Sequence, residues 1–359
     1  MDGGGEVGCT KKEAEAEYHC HDFEWEDLRA DVEANPSFSY HLSPFPTTTA
    51  SPQPPSSEAW RSFHRRHASG RFFKERRYLL KEFPELLNSK GCAKVLEVGC
   101  GNGSTVVPIL RCSPSITVYA CDCSEDTLEK ANEIVCNTQG VDAKDRFHPF
   151  LLDVSKEHFP GWLFCKCCQS SDGKVVDLSP DSSLLYVRGK NSISLKEDQC
   201  CVGGIDFITM IFTLSAIPFN TISATLERCA SVLKPGGLVL FRDYGVYDMT
   251  MLRFLPHQRV GFREYMRADG TYSYFFSLDT VRELFHAAGL LESELEYCCV
   301  RSVNRKNGKN MQRLLPRSLG SQALTVIDLE VVKAWLDALD GAKRGRDRKG
   351  TSTTVTKQA

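Results

Sequence analysis

One stretch constrains the fold of this chain more than any other. It covers residues 94–103 and reads KVLEVGCGNG, a short apolar strand with an acid near its end, followed by three glycines at alternate positions. Gly99, Gly101 and Gly103 allow the chain to turn sharply, and they let backbone N–H groups approach a ligand that a Cβ atom would block. Residues 104–111 then read as a helix. A strand, a glycine-rich turn and a helix together predict a corner that binds a cofactor.

Beyond this corner the sequence alternates strands and helices. Predicted strands cover residues 116–121, 147–152, 205–214, 238–241 and 291–303, and predicted helices cover 124–137, 221–233 and 278–288. Strands separated by helices predict an α/β fold with a mostly parallel, twisted sheet and helices on both faces. Ligands of such sheets bind beyond the carboxyl ends of the strands.

Acidic residues at three strand ends indicate which cofactor the corner holds. Glu97 lies immediately before the glycine turn, where a pyrophosphate site usually avoids an anion but the amine and sulfonium of S-adenosylmethionine would be attracted. Asp122 can accept hydrogen bonds from ribose hydroxyls, although NAD-binding proteins share such an acid. Asp153 follows Leu152 and can accept from the adenine amino group while an apolar neighbour packs on the ring. The three acids resemble those of a Rossmann-like class I methyltransferase that depends on S-adenosylmethionine.

Charge is distributed unevenly along the chain, although the net charge is only −2. Residues 61–81 hold eight Arg and Lys residues against a single acid, and aromatic residues lie between them, whereas residues 13–33 are acidic. Such asymmetry is typical of a nucleic-acid-binding face, and a solvated amphipathic helix is the alternative. No apolar run approaches the ~20 residues that span a bilayer, and no secretory or mitochondrial signal is present, so we expect the protein in the cytoplasm or the nucleus and not on a membrane.

Composition shifts divide the chain into five predicted parts. Residues 1–57 read as disordered chain and linker with a short helix near 22–32, and residues 58–90 as a basic-aromatic helical segment that closes over RNA or cofactor. A methyltransferase domain is predicted for 91–320, with an insert at 161–204, and an atypical helix and basic tail for 321–359. The cysteines of the insert have neither paired C-x-x-C spacing nor a histidine beside them, so we predict no metal site.

The sequence also narrows the methyl acceptor. The turn after the fourth strand lacks the Asn/Asp-Pro-Pro-aromatic element of adenine and exocyclic-amine methylation, and no Pro-Cys element supplies the thiolate that cytosine C5 methylation needs. An acceptor with an available lone pair, such as a ring nitrogen, remains, and it needs positioning more than a base.

Several motifs resemble one family. They are FFKER at 72–76, IFTLSA at 211–216, VLKPGG at 232–237, FRDYGVYD at 241–248 and RADGTYSYFF at 267–276. From about residue 22 to residue 311 the chain is similar to the tRNA 3-methylcytidine methyltransferases of the methyltransferase-like family, and it is most similar to the type acting on serine tRNAs. The resemblance implies N3 methylation of the cytidine at tRNA position 32 in the anticodon loop, with S-adenosylmethionine as cofactor, tRNA and not DNA as substrate, and seryl-tRNA synthetase as partner.

Residue by residue, the resemblance and the strand-end pattern assign candidate sites. The predicted cofactor-binding residues are Trp60, His64, Glu97, Gly99, Gly101, Gly103, Asp122, Asp153, Val154 and Ile211. The predicted substrate-binding residues are Arg71, Phe72, Phe73, Lys74, Arg76, Tyr244 and Arg253. Arg242 and Asp243 are the predicted catalytic residues, because a carboxylate could stabilise the cationic base that N3 methylation creates. A hydrogen bond from Asp243 to its own loop is the alternative.

The chain departs from the family pattern at two places. His64 and His67 stand where the family has a tyrosine and an asparagine. After residue 311 the sequence LLPRSLG contains Pro316, which cannot donate to a β-ladder, so we expect the last strand of the sheet to be displaced or broken. Two other functions therefore stay open: a protein or small-molecule methyltransferase, and a non-catalytic protein that binds RNA or a partner.

Overall fold

The computed structural model describes residues 20–45, 57–67, 75–88, 91–164, 201–303 and 310–322. The predicted RNA-binding residues Arg71, Phe72, Phe73 and Lys74 lie outside the described residues, as do most of the cysteine-bearing insert and the predicted C-terminal helix and tail.

A seven-stranded sheet forms the centre of the fold. Its strands are β1 (Lys94–Val98), β2 (Thr117–Asp122), β3 (Phe147–Leu151), β4 (Ile205–Ile211), β5 (Leu233–Arg242), β9 (Leu290–Val303) and β10 (Asn310–Gln322). Their order is β3-β2-β1-β4-β5-β10-β9, in which the first five are parallel and β10 runs antiparallel to both of its neighbours. The predicted α/β fold with a mostly parallel sheet is confirmed.

Ten helices accompany the sheet in the described residues, and the first two belong to the N-terminal segment. They are α1 (Trp25–Ala34), α2 (Ser39–Leu42), α3 (Ser57–Arg66), α4 (Leu79–Glu82), α5 (Glu85–Asn88), α6 (Val106–Cys112), α7 (Glu125–Asn137), α8 (Phe219–Val232), α9 (Met249–Leu252) and α10 (Leu278–Ala287). Local sequence fixes where some of them begin. The Ser124 hydroxyl accepts from the Thr127 N–H, and the Ser277 hydroxyl accepts from the Thr280 N–H, so that each serine satisfies a free N–H at its helix N-terminus. Within the described residues, no helix combines the length and apolar character needed to cross a membrane.

Apolar layers cover both faces of the sheet. Leu96 and Val98 of β1 belong to the layer formed with α8 and α10, whereas Val95 belongs to the layer formed with α6 and α7. Both layers are buried, which explains why β1 is buried at four consecutive positions, Val95 to Val98, instead of alternating between buried and exposed residues. Because both faces of the sheet are covered, the polar side chains of a ligand site lie at the carboxyl ends of β1 to β4.

The N-terminal segment packs more extensively than the sequence predicted. Helix α1 lies near the predicted short helix at 22–32, and its Leu28 and Val32 are buried in a third apolar cluster with residues of β9 and β10. Further along, His41 Nδ1 lies 2.7 Å from the Tyr265 hydroxyl. Residues 20–45 are therefore part of the folded core, whereas the rest of the predicted segment 1–56 lies outside the described residues.

The expectation of a broken last strand is wrong. Strand β10 pairs with β9 along its whole length, with one register shift between Leu319 and Gly320, and Pro316 lies opposite Tyr297 in that ladder. The Pro316 carbonyl accepts from the Asp243 N–H at 3.3 Å. Because the N–H and C=O of one residue in an antiparallel ladder point to the same side, the missing N–H of Pro316 faces the end of β5 and not β9. Pro316 thus removes no bond between β9 and β10.

A second, three-stranded antiparallel sheet follows β5. It consists of β6 (Arg259–Gly261), β7 (Glu264–Met266) and β8 (Tyr272–Tyr274). The isolated bridge between Gly245 and Phe276 links its end to the loop after β5. This small sheet brings residues 267–273 to the same edge of the domain as the glycine turn.

Candidate active site

A cavity of about 630 Å³ opens at the carboxyl ends of the parallel strands. Its volume is in the range that holds a cofactor-sized ligand. The sequence-predicted residues that line it are Trp60, His64, Arg76, Gly99, Gly101, Asp122, Asp153, Val154, Ile211 and Tyr244. The structure thus brings together residues from seven separate segments of the chain, namely helix α3, Arg76, the glycine turn, the ends of β2 and β4, and the segments after β3 and β5.

The three glycines of the turn have three different surroundings. Gly99 has φ +69°, and a Cβ atom there would lie 2.7 Å from Thr213 Cγ2. Gly101 has φ +53°, and its nearest neighbour for a Cβ atom would be His64 Cε1 at 3.9 Å, so this position is open to the cavity. Gly103 does not line the cavity, because it faces the Val135 side chain of α7. Two glycines therefore shape the binding surface, and the third allows a helix to pack.

Asp122 joins the glycine turn to the next helix. Its side chain is almost fully buried, with Oδ2 accepting from the Gly101 N–H at 3.0 Å and Oδ1 accepting from the Ser124 N–H at 3.1 Å. A carboxylate oxygen has more than one lone pair. Asp122 can therefore hold these two backbone segments and still accept from the hydroxyls of a ligand in the cavity.

Asp153 lies beyond the end of β3. Burial alone would raise its pKa, but hydrogen bonds from Ser155 and the charge of Lys156 outweigh burial and lower the pKa. The carboxylate is therefore ionised at neutral pH and can accept a hydrogen bond. Leu152 and Val154 on either side of it are buried and line the cavity, which gives the apolar surroundings that a planar ring needs.

Helix α3 covers the cavity through polar contacts with four loops. Trp60 Nε1 donates to the Ala216 carbonyl at 2.8 Å, and Arg61 Nε donates to the Cys123 carbonyl at 2.9 Å. At its two ends, the Ser57 hydroxyl accepts from Lys156, and Arg66 lies 3.6 Å from the Asp269 carboxylate. Phe63 is its one buried side chain. Helix α3 is thus held mainly by hydrogen bonds and an ion pair to surrounding loops, and it covers the cavity instead of forming part of the apolar core.

His64, which replaces the expected tyrosine, faces the turn at Gly101. Burial lowers the pKa of His64, and the repulsion from His67 adds to this effect while Asp122 opposes it. The imidazole is therefore neutral at physiological pH, so it can pack against a ligand without adding a positive charge beside a sulfonium.

An aromatic pair flanked by arginines forms another part of the lining. The rings of Phe212 and Tyr244 are 4.9 Å apart, Arg76 Cζ lies 5.5 Å from the Phe212 ring centre, and Arg313 Cζ lies 5.5 Å from that of Tyr244. Phe212 has φ +60°, a strained conformation for a residue with a Cβ atom. Sequence reasoning included Phe212 only as part of a motif and missed Arg313, because no local pattern reveals which strand residue faces a distant cavity.

The structure places both predicted catalytic residues behind the cavity wall. Asp243 is fully buried, and its two oxygens accept from the N–H groups of Ser215 at 2.9 Å and Tyr244 at 2.8 Å. Burial raises the pKa of Asp243 to about 6, although these hydrogen bonds oppose the effect. Arg242 forms a buried ion pair with Glu82. Neither side chain lines the cavity, so the geometry does not support direct contact with a substrate.

Two further predicted residues also lie outside the lining. Glu97 is fully buried on β1 and accepts from the Thr209 hydroxyl. Burial raises the pKa of Glu97 to about 7, while Thr209, Arg76 and Thr105 offset part of this effect. Arg253, which directly follows α9, donates to the sulfur of Met249, the first residue of that helix. For Asp243, the sequence left two interpretations open, a catalytic contact or a hydrogen bond to its own loop. The structure shows the second, through the Tyr244 N–H.

Comparison with known proteins shows the family. A family model described as a methyltransferase domain matches residues 64–291. The tRNA N(3)-methylcytidine methyltransferase Mettl2 of Drosophila melanogaster is 34% identical over 263 residues, which cover 71% of this chain and 68% of that protein. The human tRNA N(3)-cytidine methyltransferase METTL6 is 33% identical over 263 residues, covering 72% and 78%. This chain belongs to the METTL2/METTL6 family of methyltransferases. A solved SAM-dependent methyltransferase from Anabaena variabilis matches 76% of this chain and 99% of its own, with a TM-score of 0.48 and 12% identity.

As a METTL2/METTL6-family enzyme the chain uses S-adenosylmethionine, and its cavity fits that cofactor. The open position at Gly101 leaves room that a Cβ atom would fill, and the buried acid Asp122 stands beside it. Asp153 with Val154 supplies an acceptor next to an apolar surface, and Trp60 covers the cavity from α3. An adenosine with a diol, an amino group and a positive sulfur is compatible with this set of acids and apolar walls.

Proposed function

We propose that this enzyme methylates N3 of a cytidine in tRNA, at position 32 of the anticodon loop, and that serine tRNAs are its substrates. The observation that carries the proposal is the Phe212–Tyr244 pair, flanked by Arg76 and Arg313, in the same cavity as the cofactor residues. Aromatic rings stack on unpaired bases, and arginines contact the backbone of single-stranded RNA. The names of the relatives in Drosophila and human support the same reaction.

In this proposal, each cofactor-binding residue contacts a different part of the methyl donor. Asp122 accepts from the ribose hydroxyls, and Asp153 with Val154 binds the adenine. Gly99, Gly101 and Ile211 leave space for the methionine part, while Trp60 and His64 close the cavity from α3. S-Adenosylmethionine supplies a methyl group on a positively charged sulfur.

The acceptor step needs position more than acid–base chemistry. Methyl transfer would form an N3–CH3 bond and break the S–CH3 bond, leaving a cationic base and a neutral thioether. Because the N3 lone pair of neutral cytosine is already free, the residues of this chain have to extrude the base and hold N3 toward the cofactor residues. Tyr244 and Phe212 stack on the base, and Arg76 contacts the RNA. Arg71, Phe72, Phe73 and Lys74, assigned from the sequence, also bind the RNA, and Arg253 contacts it outside the cavity.

Asp243 acts as a positioning residue in this proposal. Its carboxylate holds the backbones of Ser215 and Tyr244, and both of these residues line the cavity. Arg242 holds α4 through Glu82 in a comparable way. Since α4 follows Arg76 directly, with the Leu79 N–H bonded to the Arg76 carbonyl, the Arg242–Glu82 pair fixes the segment that presents Arg76.

Labelled S-adenosylmethionine and unmodified serine tRNA test the function. The expected product carries the label on the cytidine at position 32, mapped by nuclease digestion and mass spectrometry, and a tRNA with uridine there is the control. We expect seryl-tRNA synthetase to increase the rate, because we propose it as the partner. Label transfer to protein or to a small molecule would refute the proposal, as would cofactor binding without any transfer to RNA.

We also propose that the enzyme works in the cytoplasm, with the nucleus as a second location, since both contain tRNA. Fractionation of cells that express a tagged chain measures this distribution. Enrichment in any other compartment would contradict it.

A further inference from the structure

Strand β10, which the sequence predicted to be broken, brings Arg313 to the cavity. The Arg313 side chain is 27% exposed, and its guanidinium lies over the Tyr244 ring with Cζ 5.5 Å from the ring centre. Arg313 lines the cavity, as does Arg76, the arginine that lies over the Phe212 ring. Neither a motif nor its position in the chain marks Arg313 as a site residue, because the register of β10 with β5 and β9 decides where it points.

A buried carboxylate fixes the orientation of Arg313. Arg313 Nε donates to Asp248 Oδ2 at 2.8 Å, and Asp248 is fully buried. The same carboxylate accepts from the Leu314 N–H at 2.9 Å and from the Thr250 N–H at 2.7 Å, so it cannot rotate without breaking backbone contacts. The guanidinium is therefore held at its Nε edge, which leaves the two terminal nitrogens to donate elsewhere.

The charge and geometry of this group favour an anionic ligand. A guanidinium would repel the positively charged sulfur of the cofactor, whereas its planar fork matches two oxygens of a phosphate. Arg76 and Arg313 stand on either side of the Phe212–Tyr244 pair, each over one ring. When a base stacks on these rings, the phosphodiester backbone of its nucleotide lies close to one of the two guanidinium groups.

We propose that Arg313 binds a phosphodiester of the RNA next to the target nucleotide, and that Asp248 is its positioning residue. This proposal rests on the proposed tRNA methyltransferase function. It assigns the C-terminal strand a direct part in substrate binding, in addition to its part in the sheet.

Binding of unmodified serine tRNA, measured by fluorescence anisotropy at several salt concentrations, tests the proposal with three variants. R313A should bind roughly tenfold more weakly, and the slope of log affinity against log salt should fall by about 0.7–1. R313K keeps the charge, so it should keep the slope and lose only part of the affinity. R282A removes one exposed arginine that pairs with Asp279 and Glu292, and it should behave as wild type.

Calorimetry and thermal unfolding separate this role from a structural one. Cofactor affinity of R313A should equal that of wild type, and D248N should show part of the R313A binding defect. An unchanged salt slope in R313A would overturn the proposal, whether or not affinity fell, because a contact with the base would weaken binding without changing the slope. Loss of cofactor affinity in folded R313A would also overturn it.

The methyl-transfer assay on the wild-type enzyme separates failure of this inference from failure of the proposed function. If tRNA is bound but not methylated, while R313A still lowers the salt slope, the function fails and the phosphate contact stands. If tRNA is methylated and the R313A slope equals that of wild type, only the phosphate contact fails. A wild-type enzyme that binds no tRNA would overturn both.

Discussion

Replacing Glu97 by glutamine separates two roles for this carboxyl group. The sequence places it beside the amine of the cofactor, whereas the structure buries it on β1, outside the cavity, with the Thr209 hydroxyl as partner. If it contacts the amine, the glutamine variant loses cofactor affinity. If it is a buried structural acid, the variant keeps cofactor affinity and changes how stability depends on pH.

The expected size of the pH effect follows from burial. Raising the Glu97 pKa from 4.5 to about 7 means that ionising the group in the folded protein costs ~3 kcal/mol more than in the unfolded chain. For a raised carboxyl pKa, the stabilising contribution is fully present below pH 4.5 and is lost as pH rises through about 7. Between pH 5 and pH 8 the wild type should therefore lose about 2–3 kcal/mol that E97Q does not lose.

Urea unfolding of both proteins at pH 5 and pH 8, followed by circular dichroism, measures this difference. All other titrating groups are common to the two proteins, so they cancel in the comparison. Any pH-independent change in the free energy of unfolding that the amide causes, such as a weaker hydrogen bond with Thr209, is the same at both pH values and cancels when they are subtracted. A stability difference that is the same at both pH values would refute the reasoning, and a large loss of cofactor affinity at pH 8 would restore the interpretation from sequence.

Three other substitutions give separate tests. Gly99→Ala should unfold at a lower temperature than Gly140→Ala, because both have positive φ but only at Gly99 would the Cβ atom meet Thr213, at 2.7 Å. Asp243→Asn should lower turnover ~10- to 100-fold with cofactor affinity unchanged in titration calorimetry, and wild-type turnover should rise with pH through about 6 as Asp243 ionises. Glu82→Gln should cost ~3–5 kcal/mol in urea unfolding, since it leaves a buried arginine without its partner.

Much of the fold was predictable because its signals are local. The glycine turn, the serine at the N-terminus of α7 and the apolar runs of β1 to β4 all depend on neighbouring residues, and each of these elements lies within a few residues of its predicted bounds. Asp122 and Asp153 were also predictable, since a strand end in a parallel sheet faces the ligand side whatever the rest of the chain does.

The structure differs from the expectations where a residue's surroundings depend on distant parts of the chain. Pro316 is compatible with β10 because its missing N–H faces the end of β5, and that follows only from the pairing of both neighbours. Asp243 ends a strand as Asp122 does, but Ser215 and Tyr244 close over it and exclude it from the cavity.

The sequence by itself determined the α/β architecture and the cofactor corner at residues 94–103, because local geometry and hydrophobic periodicity are properties of short segments. Only the tertiary structure decided which charged groups face the ligand and which are buried as supports. Glu97 and Asp243 lie inside the protein, whereas Arg313 reaches the cavity from a strand more than 200 residues after the glycine turn. The physical reason is that burial depends on which elements pack together, and the packing of α3, β5 and β10 around the glycine turn brings together residues that no short sequence pattern connects.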